Sequence, residues 1–218
     1  MSKRIVGLVL GLILCLGTVL FAGVKEAREL YGAKKYVEAQ AEYEKALPTL
    51  TGSEKAGAQF KIGSCLLRFK KYDEAIEAFK KVAIIDGASV YYAANAQIYI
   101  GNCLLLQKKY AEAITAYEKV LLIEGVKPRQ ITDAYLNIGI TFQKQGKKQE
   151  SQEAFISGCL VENISLNHYK RNFSKIKKLE IGKEKYQDLL SKMILIIPAV
   201  PENASFLSLL KSELEKLK

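Results

Sequence analysis

Histidine is almost missing: the 218 residues contain one, His168. A single imidazole cannot build a His-based metal cluster, and any Ser-His-Asp arrangement would have to rest on that one residue. His168 is therefore read as a loop or surface histidine. A glycine-rich phosphate loop is also lacking. Ile181-Gly182-Lys183 comes nearest, but without the earlier glycine and the following Ser or Thr. Cysteine is sparse, at Cys15, Cys65, Cys103 and Cys159. The last three are an odd set at similar places in a repeating pattern, which reads as small core hydrophobes and not as a disulfide framework. With these groups absent, no catalytic, cofactor-binding or metal-binding residue is expected, and the chain reads as a non-enzyme.

Acidic residues are outnumbered, 23 against 33 Lys and Arg, for a net charge of +10. Removing Lys3 and Arg4 would leave about +8. Much of the excess is late: Lys170, Arg171, Lys175, Lys177, Lys178, Lys183 and Lys185 are accompanied there by only Glu180 and Glu184. Residues 170–192 are either a solvated lysine-rich face or a module for anionic lipid or another polyanion. Nucleic acid is not an expected partner.

At the other end, Lys3 and Arg4 precede an uncharged run from Ile5 to Gly23. A basic start followed by an apolar run reads as a signal peptide, and its length also approaches the roughly 20 residues that span a bilayer as a helix. Residues 1–23 are thus expected to be either a cleaved signal peptide, with Ala22 as the small residue at the site, or a retained N-terminal anchor. Lipidation at Cys15 is disfavoured by Leu14 and by the apolar run that continues past it. The charge asymmetry keeps Lys3 and Arg4 in the cytoplasm and sends the rest across.

What is abundant is self-similarity. Lys-Tyr-Val-Glu-Ala at 35–39, Lys-Tyr-Asp-Glu-Ala at 71–75 and Lys-Tyr-Ala-Glu-Ala at 109–113 each lead four residues later to an aromatic, Tyr43, Phe79 or Tyr117, and then to Ala46, Val82 or Val120. Ile-Gly pairs recur at 62–63, 100–101 and 138–139. A further step of 38 reaches Lys148, with Ser151 in the alanine slot and Phe155 in the aromatic one; another reaches Tyr186, with Leu189, Met193 and Ile196. Each unit reads as two helices, with Ile62, Gly63 and Leu66 on one face of the first and Ala75, Phe79 and Val82 on one face of the second. The glycine is expected to admit a neighbouring backbone, and the aromatic to fill the space between successive units. Glu74 and Glu112 start second helices, where a carboxylate suits the helix dipole.

This pattern resembles the tetratricopeptide repeat, clearly over residues 24–160 and weakly over 165–197. It departs in its 38-residue period, where about 34 is usual, and in lacking prolines at unit ends. The extra residues, as in Ser89-Val90-Tyr91-Tyr92, are expected to lengthen the first helix by a turn. The resemblance implies an all-α, right-handed α-solenoid of antiparallel helix pairs: repeats at about 20–53, 56–89, 94–127 and 132–165, and a degenerate fifth at 170–197. After Pro198 and Pro201, residues 202–218 read as an amphipathic helix that caps the solenoid or binds a partner. Longer repeats of this kind look like those of bacterial envelope proteins, which agrees with an extracytoplasmic location, periplasmic or held at the inner membrane.

The resemblance further implies that other proteins are the partners and that first helices line a concave groove. Carried onto this chain, the groove residues are Phe60, Ser64, Leu67, Ile98, Asn102, Leu105, Leu136, Ile140 and Gln143. Relatives that clamp a chaperone's C-terminal carboxylate carry lysine and asparagine there. Phe60, Ile98 and Leu136 stand where lysine would be needed, so that clamp is excluded. A mostly apolar face suits a helix or extended segment with hydrophobic anchors, or is covered by the chain itself or by a second copy in a homo-oligomer. Asn-x-Ser triplets at Asn163, Asn172 and Asn203 would matter only in a glycosylating host.

Overall fold

The structure is a computed structural model that describes residues 23–178 and 181–217. The expected signal or anchor segment, apart from Gly23, lies outside the described residues, as does Cys15. No helix among the described residues is long and apolar enough to cross a membrane. The described chain is helical throughout: α1 (23–32), α2 (Tyr36–Ala46), α3 (Gly52–Arg68), α4 (Tyr72–Ala83), α5 (Val90–Leu106), α6 (Tyr110–Leu121), α7 (Pro128–Lys144), α8 (Lys148–Cys159), α9 (Leu166–Ile176), α10 (Lys183–Ile196) and α11 (Ala204–Glu215). These are five helix pairs and a terminal helix. The described residues fall into two compact units that divide between Cys103 and Leu104.

The repeated Lys-Tyr marks a turn with its own chemistry. Tyr36, Tyr72 and Tyr110 are the first residues of α2, α4 and α6. Two residues earlier the backbone is left-handed, at Lys34 (φ 63°), Lys70 (φ 60°) and Lys108 (φ 62°), and at Gly146 (φ 76°) before α8. The first helices α1, α3, α5 and α7 are each closed by a Schellman pair of bonds. The Lys71 N–H donates to the Leu66 carbonyl at 3.0 Å and the Lys70 N–H to Leu67 at 3.0 Å; Lys147 to Phe142 and Gly146 to Gln143 repeat the arrangement. The three-residue link that results holds the partner helices antiparallel. α3, α5 and α7 each run 17 residues, whereas α4, α6 and α8 run 12.

In the first unit, the aromatic of the second helix fills the notch left by glycine on the first. A Cβ added at Gly63 would lie 2.7 Å from the Phe79 ring. The glycine thus admits a side chain, and the expected close backbone approach is corrected on this point. Phe79 is fully buried and also meets Phe60 (ring centroids 5.3 Å) and Tyr99 (5.4 Å) of the following pair, so one ring joins two pairs. Ala39 and Ala75 are wholly buried, because any larger group there would push the paired helices apart. Gln59 spans the pair, donating to the Ala78 carbonyl at 3.1 Å.

The second unit repeats the device. A Cβ at Gly139 would fall 2.5 Å from the Phe155 ring. Ser151, in the alanine slot, is fully buried and donates its hydroxyl to the Gly139 carbonyl at 2.9 Å, which satisfies the polar group that replaces a methyl. The fifth pair and α11 share one core in which Phe155, Tyr169, Phe173, Leu189, Leu190 and Met193 pack with Phe206, Leu207 and Leu210 of α11. Phe173 stacks on Tyr186 (6.3 Å, 10°) and meets Phe206 edge-on at 5.7 Å. The terminal helix therefore buries its apolar side on the last pair, as a solenoid cap must.

Candidate partner-binding face

The structure splits the nine groove residues into three groups. Ser64, Ile98 and Leu136 are buried, at 4%, 5% and 7% exposure. Ser64 donates to the Phe60 carbonyl of its own helix at 2.9 Å, and Leu136 belongs to the core with Phe155 and Tyr169. These three are core residues, a correction to their placement on an open face. The physical reason is that a first helix packs on more than one side: Ala94, Ala96, Ile98 and Ile100 of α5 are all buried. Phe60, Leu67, Asn102, Leu105 and Ile140 are half-buried, and Gln143 is exposed. In the first unit Phe60 and Leu67 share α3, with Asn102 on α5. Leu105, Leu136, Ile140 and Gln143 belong to the second unit.

Beside Phe60 the first unit opens into a cavity of about 200 Å³ with a mixed polar and apolar lining, which includes Arg28, Tyr43, Glu54, Gly57, Lys61 and Tyr92. Phe60 and Tyr92 lie 6.1 Å apart, ring to ring, so the apolar face and this cavity adjoin. Sequence reasoning missed these polar residues. The available signal was Tyr43, a hydroxyl-bearing ring in the slot that Phe79 fills with a plain phenyl.

Comparison with known proteins agrees with this geometry. A tetratricopeptide-repeat family model matches residues 24–90 and a second one residues 94–125. Among solved structures, YrrB, described as a TPR protein with an unusual peptide-binding site, superposes with a TM-score of 0.55 at 16% identity, covering 75% of this chain and 76% of that one. PilF of Pseudomonas aeruginosa gives 0.55 at 14% identity and 92% coverage of both chains. MamA from Desulfovibrio magneticus gives 0.52 at 14%, covering 91% and 94%. No curated protein matches in sequence. Residues 24–90 and 94–125 are tetratricopeptide repeats.

The remaining candidate groups occupy structural places. Cys65, Cys103 and Cys159 are unpaired and fully buried. Burial pushes the Cys65 thiol up to about 11 and the Cys103 thiol up to about 12, and raises that of Cys159 as well, so none is a ready nucleophile. His168 stands in the first turn of α9, not in a loop, with its Nδ1 2.6 Å from the Ser165 hydroxyl. Its pKa is lowered, first by burial and then by Arg171. Asn172 is fully buried, which removes that triplet from modification in the folded protein. No group of His, Cys, Asp and Glu among the described residues could hold a metal ion.

The basic stretch is extensively paired within the second unit. Arg171 bridges to Asp133 of α7, Lys177 to Glu213 of α11 at 3.5 Å, Lys185 to Glu153 of α8 at 3.6 Å and Lys192 to Asp188 at 2.7 Å. Lys170 lies 5.9 Å from the Phe206 ring. Nothing in this arrangement favours the polyanion reading over protein binding.

Proposed function

We propose that this chain is a non-enzymatic interaction scaffold of the bacterial cell envelope, binding a segment of a partner protein along the open parts of its first helices. The observation that carries the reading is that Phe60 and Leu67 of α3 are only partly covered, while Ser64 between them is committed to the core. Half-buried apolar side chains on a rigid helix provide anchor pockets for a docked segment without the ordering cost of a loop. The fold supports protein binding in general, and the peptide-binding site described for YrrB gives a precedent at the level of fold. Envelope location rests on Lys3, Arg4 and the apolar run to Gly23. A photo-crosslinking residue placed at Leu67 should capture a discrete partner in cells, whereas the same residue at Ile84, exposed at the end of α4, should not. Equal capture at both positions, or none at Leu67, would remove the groove assignment. Intact mass of the protein from membranes and from soluble extract, starting near Gly23 or at Met1, separates a secreted scaffold from an anchored one; a full-length species in the cytoplasm overturns the location.

A further inference from the structure

The cavity beside Phe60 contains a polar group for which folding alone gives no reason. Tyr43 is 1% exposed, and its buried hydroxyl has no hydrogen-bond partner. Burying a hydroxyl unpaired opposes folding, because the group gives up its bonds to water and gains none in return. The equivalent slot in the next pair is filled equally well by Phe79, which carries no such group. Tyr43 is among the residues that line the cavity, and its hydroxyl is the buried donor left without a partner. Burial pushes its pKa up to about 12, with Arg28 opposing, so it keeps its proton at any physiological pH.

Two cations line the same space. Arg28 comes from α1 and Lys61 from α3, against one carboxylate, Glu54. Lys61 is half-buried, with its ammonium 4.1 Å from the centre of the Tyr31 ring. Its pKa is held below the ordinary lysine value, first by burial; Cys65 acts in the opposite sense and the nearby Arg28 charge adds to the lowering. A desolvated ammonium beside a guanidinium is a local excess of positive charge that an anion would relieve. Gly57 completes the cavity. A Cβ there would lie 2.7 Å from the Tyr92 hydroxyl, so the glycine lets that ring tip reach the lining.

Size and charge narrow the ligand. About 200 Å³ is below the roughly 300–1,000 Å³ of a small-molecule site, and it admits the end of one side chain. Arg28 and Lys61 against Glu54 leave the lining one positive charge in excess, which a singly charged carboxylate balances. We propose that the cavity receives the carboxylate of an aspartate or glutamate side chain, presented by a partner segment whose apolar residues lie on Phe60 and Leu67, with Arg28, Lys61 and the Tyr43 hydroxyl as donors. This rests on the partner-binding reading and supplies the chemistry of the partner. It also differs from a clamp on a chain terminus, since the donors are not the lysine and asparagine of that arrangement.

The test uses the full-length chain with 13Cζ-labelled tyrosine, titrated with N-acetyl-glutamate amide, N-acetyl-glutamine amide and inorganic phosphate. The glutamate compound should shift the Tyr43 and Tyr92 resonances saturably, and Lys61→Met should weaken that binding about tenfold or more, the loss expected for one charge-assisted hydrogen bond. No saturable shift, an equal response to the glutamine compound, or tighter binding of phosphate overturns the carboxylate assignment. Tyr43→Phe supplies a readout that misfolding cannot imitate. It should weaken binding while raising the melting temperature of the free protein by about 2–4 °C, because an unpaired buried hydroxyl is removed. A fall in melting temperature would mean that the hydroxyl is structurally satisfied, and would also overturn the proposal. Capture at Leu67 with a silent titration would refute the cavity alone, whereas binding of the glutamate compound with no capture at Leu67 would refute the groove reading.

Discussion

Lysine is an unusual choice for a left-handed position, yet it occupies that position at 34, 70 and 108, whereas Gly146 takes the fourth. An L-residue in this conformation costs about 1–2 kcal/mol, part of which glycine would give back through its freer unfolded chain. Lys70→Gly should therefore stabilise the protein by about 0.5–1 kcal/mol. The measurement is a higher urea midpoint at unchanged slope, and a lower midpoint would show that the lysine side chain contributes more than the backbone loses. The helical glycines behave in the opposite way. At Gly139 a methyl would land 2.5 Å from the Phe155 ring, which is itself fully buried and has no room to retreat. Gly139→Ala should cost about 1–3 kcal/mol, as overpacking does. Pairing it with Phe155→Leu should recover part of that loss, and strict additivity of the two substitutions would refute the notch-and-ring account.

Elements, more than single residues, show how far the sequence could be read. Second helices were legible because Lys-Tyr-x-Glu-Ala supplies a start signal, and Tyr36, Tyr72 and Tyr110 do begin α2, α4 and α6. First helices were legible in extent but not in facing. A helix packed on several sides spreads its buried residues around the axis, so the spacing of Ile98 and Leu136 could not tell core from groove. The cavity was illegible for a related reason: Arg28 and Lys61 meet only through the register of α1 against α3, which no single unit's spacing records. One long-range pairing was within reach. Arg171 lies 38 residues after its partner Asp133, which is one repeat step, so equivalent positions on α7 and α9 carry opposite charges. His168 stands beside this pair at the start of α9. Its folded pKa is depressed below the ordinary 6.5, so the unfolded state takes up the proton first. The contribution to stability is complete above about 6.5 and is lost as pH falls through the folded value. Arg171 and Arg129 face the imidazole and oppose its protonation, and Asp133 favours it; the net direction is downward. Unfolding free energy measured at pH 7.5 and 5.5 should fall more in the natural chain than in His168→Gln, and identical slopes would remove His168 from the pH dependence.

Across the whole molecule, stability should be distributed repeat by repeat. Each unit holds its helix pairs through its own glycine notch and aromatic ring, at Gly63 with Phe79 and at Gly139 with Phe155. In a repeat array the total is close to a sum of single-repeat terms and nearest-neighbour terms, so a local loss weakens adjacent pairs and fades beyond them. The last pair has a further reserve in α11, whose Phe206, Leu207 and Leu210 are buried against Phe173, Leu189 and Met193. Burying each such side chain is worth about 1.5–3 kcal/mol. Gly63→Ala should therefore accelerate native-state amide exchange across α3 and α4 by one to two orders of magnitude, roughly what 1–3 kcal/mol implies, and leave α9, α10 and α11 near their original rates. If the chain instead unfolded as one cooperative block, every slowly exchanging amide would speed up by the same factor. Exchange mapped peptide by peptide separates the two cases, and a uniform response would mean that coupling along the array exceeds the stability of its individual repeats.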